Sequence, residues 1–77
     1  MKSTFTRDYA VFIDVLIDAR KRKGLTQIAV AGLLGKPQSF VSKYESGERR
    51  LDVVEFCQIA KVLGESPTGL LQEMGLV

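Results

Sequence analysis

Apolar positions recur along this chain at the spacing of a helix face, and no stretch alternates apolar and polar as a half-buried strand would. Tyr9, Phe12, Ile13 and Leu16 fall at i, i+3, i+4 and i+7, with Ile17 and Ala19 widening the stripe and Asp14, Asp18 and Lys21 opposite. This predicts a first helix from about Thr6 to Lys23. Its last turn, Arg20-Lys-Arg-Lys23, sets cations at the negative end of the helix dipole, and Gly24 breaks it. Thr26 then reads as an N-cap for a second helix, Gln27 to Leu34, with Val30, Ala31 and Leu34 facing inward and Gly35 ending it. A third helix opens with Pro37 at its first position and runs to about Ser46, where Gly47 stops it. After a charged loop, Glu48 to Leu51, Asp52 and Glu55 make a cap-like start for a fourth helix. There Phe56, Ile59, Ala60 and Leu63 repeat the buried spacing, and Gly64 ends it. Ser66 and Pro67 supply an N-cap and a first-position proline for a short fifth helix, about Pro67 to Met74. The expected fold is therefore all-α, with five helices.

Length narrows this to one small domain, residues 1–77 with a core over about 6–74. A 45% hydrophobic content excludes bulk disorder, and no apolar run is long enough to span a bilayer. The first eight residues lack the basic-then-apolar order of a signal peptide. The single Cys57 has no partner for an internal disulfide and fits a reducing, cytoplasmic setting, as a small residue at the edge of the core. Histidine is absent, which removes the usual nucleophile-activating base and the commonest metal ligand. With no Gly-rich phosphate loop either, the chain reads as a non-enzyme without metal or cofactor.

The net charge of +2 is weak evidence for a nucleic-acid partner, so the placement of polar groups decides more. Projected at about 100° per residue, the third helix puts Pro37, Phe40, Val41 and Tyr44 on one side. Gln38, Ser39, Ser42, Lys43 and Ser46 fall on the other. That outer face has no carboxylate, and its small polar side chains allow close approach to base edges. A glutamine can address adenine bidentately, and a lysine can reach guanine or phosphate. Arg49 and Arg50 follow this helix, placed either to clamp phosphate or to form a solvated loop.

Leu25-Thr-Gln27, Ala31, Leu34-Gly35, Gln38-Ser39, Val41-Ser-Lys43, Glu45, Gly47, Ile59-Ala60 and Leu63-Gly64 together resemble the Cro/phage-repressor (XRE) family. The likeness spans about Arg20 to Leu71. It implies a lambda-repressor-like domain with a helix-turn-helix over about 26–46, its third helix entering the major groove and its second crossing the backbone. By resemblance, Gln38, Ser39 and Lys43 hold base-reading positions, and Ser42 shares their face. Gln27 matches a glutamine that docks on phosphate at a helix N-terminus. Arg20 and Glu45 match a structural ion pair, which suits Arg20 at the centre of an apolar stripe. Ile28 and Gly32 depart from the family, which usually carries Glu or Lys there.

Leu70, Leu71, Met74, Leu76 and Val77 are more apolar than one short helix needs, and read as a two-fold dimer interface or, alternatively, as cover for a small core. The resulting expectation is a cytoplasmic transcriptional repressor or autoregulator that binds a palindromic double-stranded DNA operator as a homodimer. A protein-interaction module on the same fold is the alternative.

Overall fold

Helix boundaries in this chain follow from its capping residues. The structure, a computed structural model, describes residues 6–77; residues 1–5 of the expected domain, and with them most of the segment weighed as a leader, lie outside the described residues. The order is α1 Arg7–Arg22, α2 Gln27–Leu34, α3 Gln38–Glu45, α4 Val53–Val62 and α5 Pro67–Met74. The hydroxyls of Thr6, Thr26 and Ser66 accept from the backbone N–H three residues on, at Tyr9, Ala29 and Gly69. Asp52 and Glu55 form a complete capping box at α4, each side chain accepting from the other's backbone N–H.

α3 differs from expectation. Pro37 is its N-cap, with φ −67° and ψ 155°, and not its first helical residue. The ring fixes φ at a value the helix would accept, but the extended ψ leaves Pro37 outside it. Its missing N–H costs nothing there, and its carbonyl accepts from Phe40 N. Pro37 consequently stands exposed, away from the inner stripe, and Phe40 is only half-buried. The α2–α3 turn needs a left-handed residue, which Gly35 supplies at φ 69°.

The core forms where the five apolar stripes meet. α1 contributes Ile13, Leu16 and Ala19, α2 Val30 and Ala31, and α3 Val41 and Tyr44. α4 adds Phe56, Ile59 and Ala60, with Leu63 just after it, and α5 adds Leu70 and Met74. α2 packs on α3 and α4, while α1 packs on α3 and α5. Phe12 sits at the rim, its ring 5.2 Å from Tyr9 and 5.3 Å from Phe56. The Tyr9 hydroxyl accepts from Leu51 N at 3.1 Å, fastening the loop after α3 to α1.

Two expectations are corrected here. Cys57 is exposed, because the α4 register that points Phe56 and Ala60 inward turns position 57 outward. Leu70, with 0% of its surface exposed, and Met74 belong to the chain's own core and not to an outer face. On an eight-residue helix packed against α1, these i and i+4 positions supply the inner stripe. That leaves Leu71 half-buried and Leu76 and Val77 exposed. No helix among the described residues is long and apolar enough to cross a membrane.

Candidate nucleic-acid interface

α3 divides cleanly between the core and solvent. Val41, Tyr44 and Glu45 are buried, while Gln38, Ser39, Lys43 and Ser46 are exposed. Ser42 lies between, half-buried, its hydroxyl donating to the Ser39 carbonyl at 3.2 Å. Ser46 donates likewise to the Lys43 carbonyl at 3.0 Å. Lys43 is the one ionised side chain on the exposed face of α3 itself, since the carboxylate of Glu45 points inward.

Glu45 is where the polar architecture starts. Its carboxylate accepts from Arg20 Nε at 2.7 Å and Nη2 at 3.0 Å, a bidentate pair with side-chain exposures of 11% and 5%. Arg20 Nη1 also donates to the Leu25 carbonyl at 2.9 Å, so the guanidinium ties α1, the α1–α2 turn and α3 together. The hydrogen bond to Glu45 raises the Arg20 pKa above its ordinary value, against the pull of burial. Tyr44 alongside is raised chiefly by its own desolvation.

Gln27 Nε2 donates to Glu45 Oε1 at 2.9 Å, and Gln38 Nε2 donates to Gln27 Oε1 at 2.9 Å. The chemistry fixes these orientations. A carboxylate only accepts, so Gln27 turns its amide nitrogen toward Glu45, and its oxygen then faces the nitrogen of Gln38. A chain of donors and acceptors thus runs from a buried ion pair to an exposed side chain. It consumes one N–H of Gln38 and leaves its carbonyl and second N–H outward, the two groups a bidentate adenine contact uses.

Arg49 and Arg50 take separate roles. Arg49 makes a bidentate pair with Glu55 at 3.0 and 2.8 Å and stacks its guanidinium 4.9 Å from the Phe40 ring centre. Its charge is already matched, which weakens its expected part as a phosphate clamp. Arg50 makes no ion pair among the described residues and lies 4.1 Å over the Tyr9 ring, exposed at the end of the loop. Arg49's hydrogen bond, followed by that of the Asp52 N–H, holds the Glu55 carboxyl below its ordinary value of 4.5. A depressed folded pKa stabilises above the unfolded pKa, and the gain is lost as pH falls through the folded one. Glu55→Gln is therefore expected to melt slightly below the parent at pH 7, with the gap closing as pH drops beneath 4.5. Circular-dichroism melts from pH 7 to 3 measure it.

Of the residues anticipated from sequence, the fold brings Arg20, Glu45, Gln27 and Gln38 into one network and leaves Ser39, Lys43 and Arg50 outward. The Gln27–Gln38 link was not foreseen, because nothing in the two residues' spacing of 11 marks it. Nor was the Arg49–Glu55 pair, although a cap carboxylate six residues from an arginine is a usable signal.

Residues 16–70 match the family model described as helix-turn-helix. A solved structure, an XRE-family like protein from Pseudomonas syringae pv. tomato str. DC3000, is 46% identical, with a TM-score of 0.85. The match covers 88% of this chain and 83% of that one. A crystal structure of apo-HppE is 34% identical at a TM-score of 0.71, over 79% of this chain but 34% of that one. No curated protein matches the chain.

Proposed function

The chain belongs to the XRE family of helix-turn-helix DNA-binding regulators, and from that premise we propose that it is a sequence-specific repressor or autoregulator acting as a homodimer on a palindromic operator. The observation that carries the reading is the exposed face of α3, free of carboxylates, with Gln38 held in place by Gln27, Glu45 and Arg20. Gln38, Ser39 and Lys43 contact bases from the major groove, with Ser42 at the edge of the same face. Gln27 is committed through its side chain to Glu45 and Gln38, so phosphate docking at α2 falls to the backbone N–H groups of its first turn. Arg50 reaches phosphate, and Arg49 stiffens the loop beneath it.

The corrected burial supports a dimer face elsewhere on the chain. Beside α1, the start of α4 and α5 runs an apolar groove of about 450 Å³, with Phe12 and Phe56 among its lining and Val53, Cys57, Leu71 and Leu76 around it. Val53 is 76% exposed, a high value for an apolar side chain at a helix start. The loop leaving α3 passes directly into this groove at Leu51. A two-fold axis here repeats α3 at a fixed distance, as half-sites about one helical turn apart require.

Selection of bound sequences from random DNA, followed by salt titration, tests the function. A palindromic consensus and a steep fall of affinity with salt are expected. Arg50→Ala should weaken binding and lower the salt slope by about one per half-site. Affinity indifferent to salt would sink the reading. The dimer is tested through Cys57, the sole cysteine. A short bismaleimide should join two chains, and Val53→Lys should abolish both the cross-link and the dimer seen by sedimentation. A parent chain monomeric at all concentrations would overturn it.

A further inference from the structure

α2 has a second surface that DNA recognition does not use. Beyond Gln27 its sequence, Ile-Ala-Val-Ala-Gly-Leu-Leu, holds no polar side chain. Such a helix is ordinarily buried all round, yet Ile28 is 71% and Leu33 59% exposed. Gly32 lies between them, exposed, and a Cβ built there would meet nothing within 4 Å. Where α2 crosses α4, Leu33, Leu34 and Val62 line a shallow groove of about 450 Å³ with Lys36, Gln58 and Lys61. The two lysines are its only ionised groups, and neither makes an ion pair among the described residues. Glu55 is within electrostatic reach of Lys36, but both its oxygens are taken by Arg49.

We propose that the α2–α4 face, centred on Gly32 and Leu33 and rimmed by Lys36 and Lys61, docks an acidic amphipathic helix of a partner protein. Three features select that occupant. The backbone of α2 is satisfied internally and offers no edge to a strand, so a second helix is the form that covers it. The bare Gly32 lets such a helix come close between Ile28 and Leu33. The rim carries positive charge alone, which favours a carboxylate-flanked partner and opposes a second copy, whose own Lys36 and Lys61 would be brought against these. The groove sits at the C-terminal end of α2, while Gln27 and Gln38 meet at its N-terminal end. DNA and partner thus divide the helix, with Ile28 beside the DNA end and the lysine-rimmed half from Gly32 onward left open in a bound regulator.

The test is a titration of the full chain, isotope-labelled, with a synthetic helical peptide bearing leucines at i, i+3, i+4 and i+7 flanked by glutamates. A matched peptide has every glutamate replaced by lysine. Amide shifts confined to Ile28–Lys36 and Gln58–Val62 are expected, with the acidic peptide binding about tenfold tighter or more. Gly32→Gln adds a side chain to open space on a helix and leaves the fold intact, so its melting temperature should hold or rise while peptide binding is lost. Lys61→Glu sets a carboxylate against Lys36 and cancels the charge of the rim, so the preference between peptides should vanish. The proposal is overturned by equal binding of both peptides, by shifts centred on the groove at Val53 and Leu76, or by a Gly32→Gln chain that binds as well as the parent. Shifts at Ile28 and Leu33 that grow with protein concentration alone would assign the face to self-association and overturn it as well. DNA binding is read separately, so its loss would count against the operator-binding role and not against this docking face.

Discussion

Glu45→Ala is expected to cost about 3–5 kcal/mol of stability, the usual consequence of stranding one member of a buried ion pair. Arg20 would keep only the Leu25 carbonyl as a partner, with its side chain 11% exposed. In a domain this small the loss approaches the whole folding free energy, and the melting temperature should fall by on the order of 15 °C or more. The comparison that separates stranded charge from lost packing is the double variant Arg20→Met/Glu45→Leu. It removes both charges, and should recover most of the loss. Chemical denaturation of the parent, both single variants and the double variant closes the cycle. A Glu45→Ala cost below about 1 kcal/mol would put the pair in the class of surface salt bridges and remove it as the anchor of the interface.

Gln38→Ala is expected to have the largest effect on sequence preference while leaving the fold almost untouched, because Gln38 is exposed and caps nothing. A bidentate glutamine–adenine contact discriminates by about 1–3 kcal/mol, so losing it in both half-sites of a dimer should cost about 2–6 kcal/mol in specific affinity. Non-specific binding, which the proposed reading gives to Arg50 and the backbone N–H groups of α2, should change little, so the specificity ratio collapses more than the total affinity. Gln27→Ala is informative beside it. It breaks the link from Gln38 to Glu45 without touching the base-facing amide, so a weaker loss of preference should appear through poorer positioning. Competition binding with cognate and scrambled duplexes gives both numbers. Preference unchanged in Gln38→Ala would remove Gln38 from base reading.

One carboxylate links the buried ion pair to the proposed recognition face. Glu45 accepts from Arg20 of α1 and from Gln27, which in turn accepts from the exposed Gln38. A change at Arg20, 18 positions before the start of α3 in sequence, is therefore expected to loosen Gln38.

The helices, every expected cap but that of α3, most of the inner stripes and the polar face of α3 were legible in the sequence, because these follow from neighbours within one turn. Thr26, Asp52 and Ser66 cap where local chemistry dictates. The α1 stripe through Ile13 and Leu16 is buried as its spacing requires. The register of α2 and α3 also identified the family. What only the tertiary structure decided are the pairings between elements. Leu70 and Met74 carry the same apolar signal whether they face a core or a partner chain, and only the seat of α5 on α1 assigns them inward. Cys57, Val53 and Leu33 are apolar or small, yet exposed. Arg49 and Arg50 are adjacent and alike in sequence, and a fold that lays one beside Glu55 and the other over Tyr9 gives them different partners. Helical spacing reports which side chains share a face, but a hydrogen bond or ion pair needs two atoms within about 3 Å. Across elements that distance is set by how the helices cross.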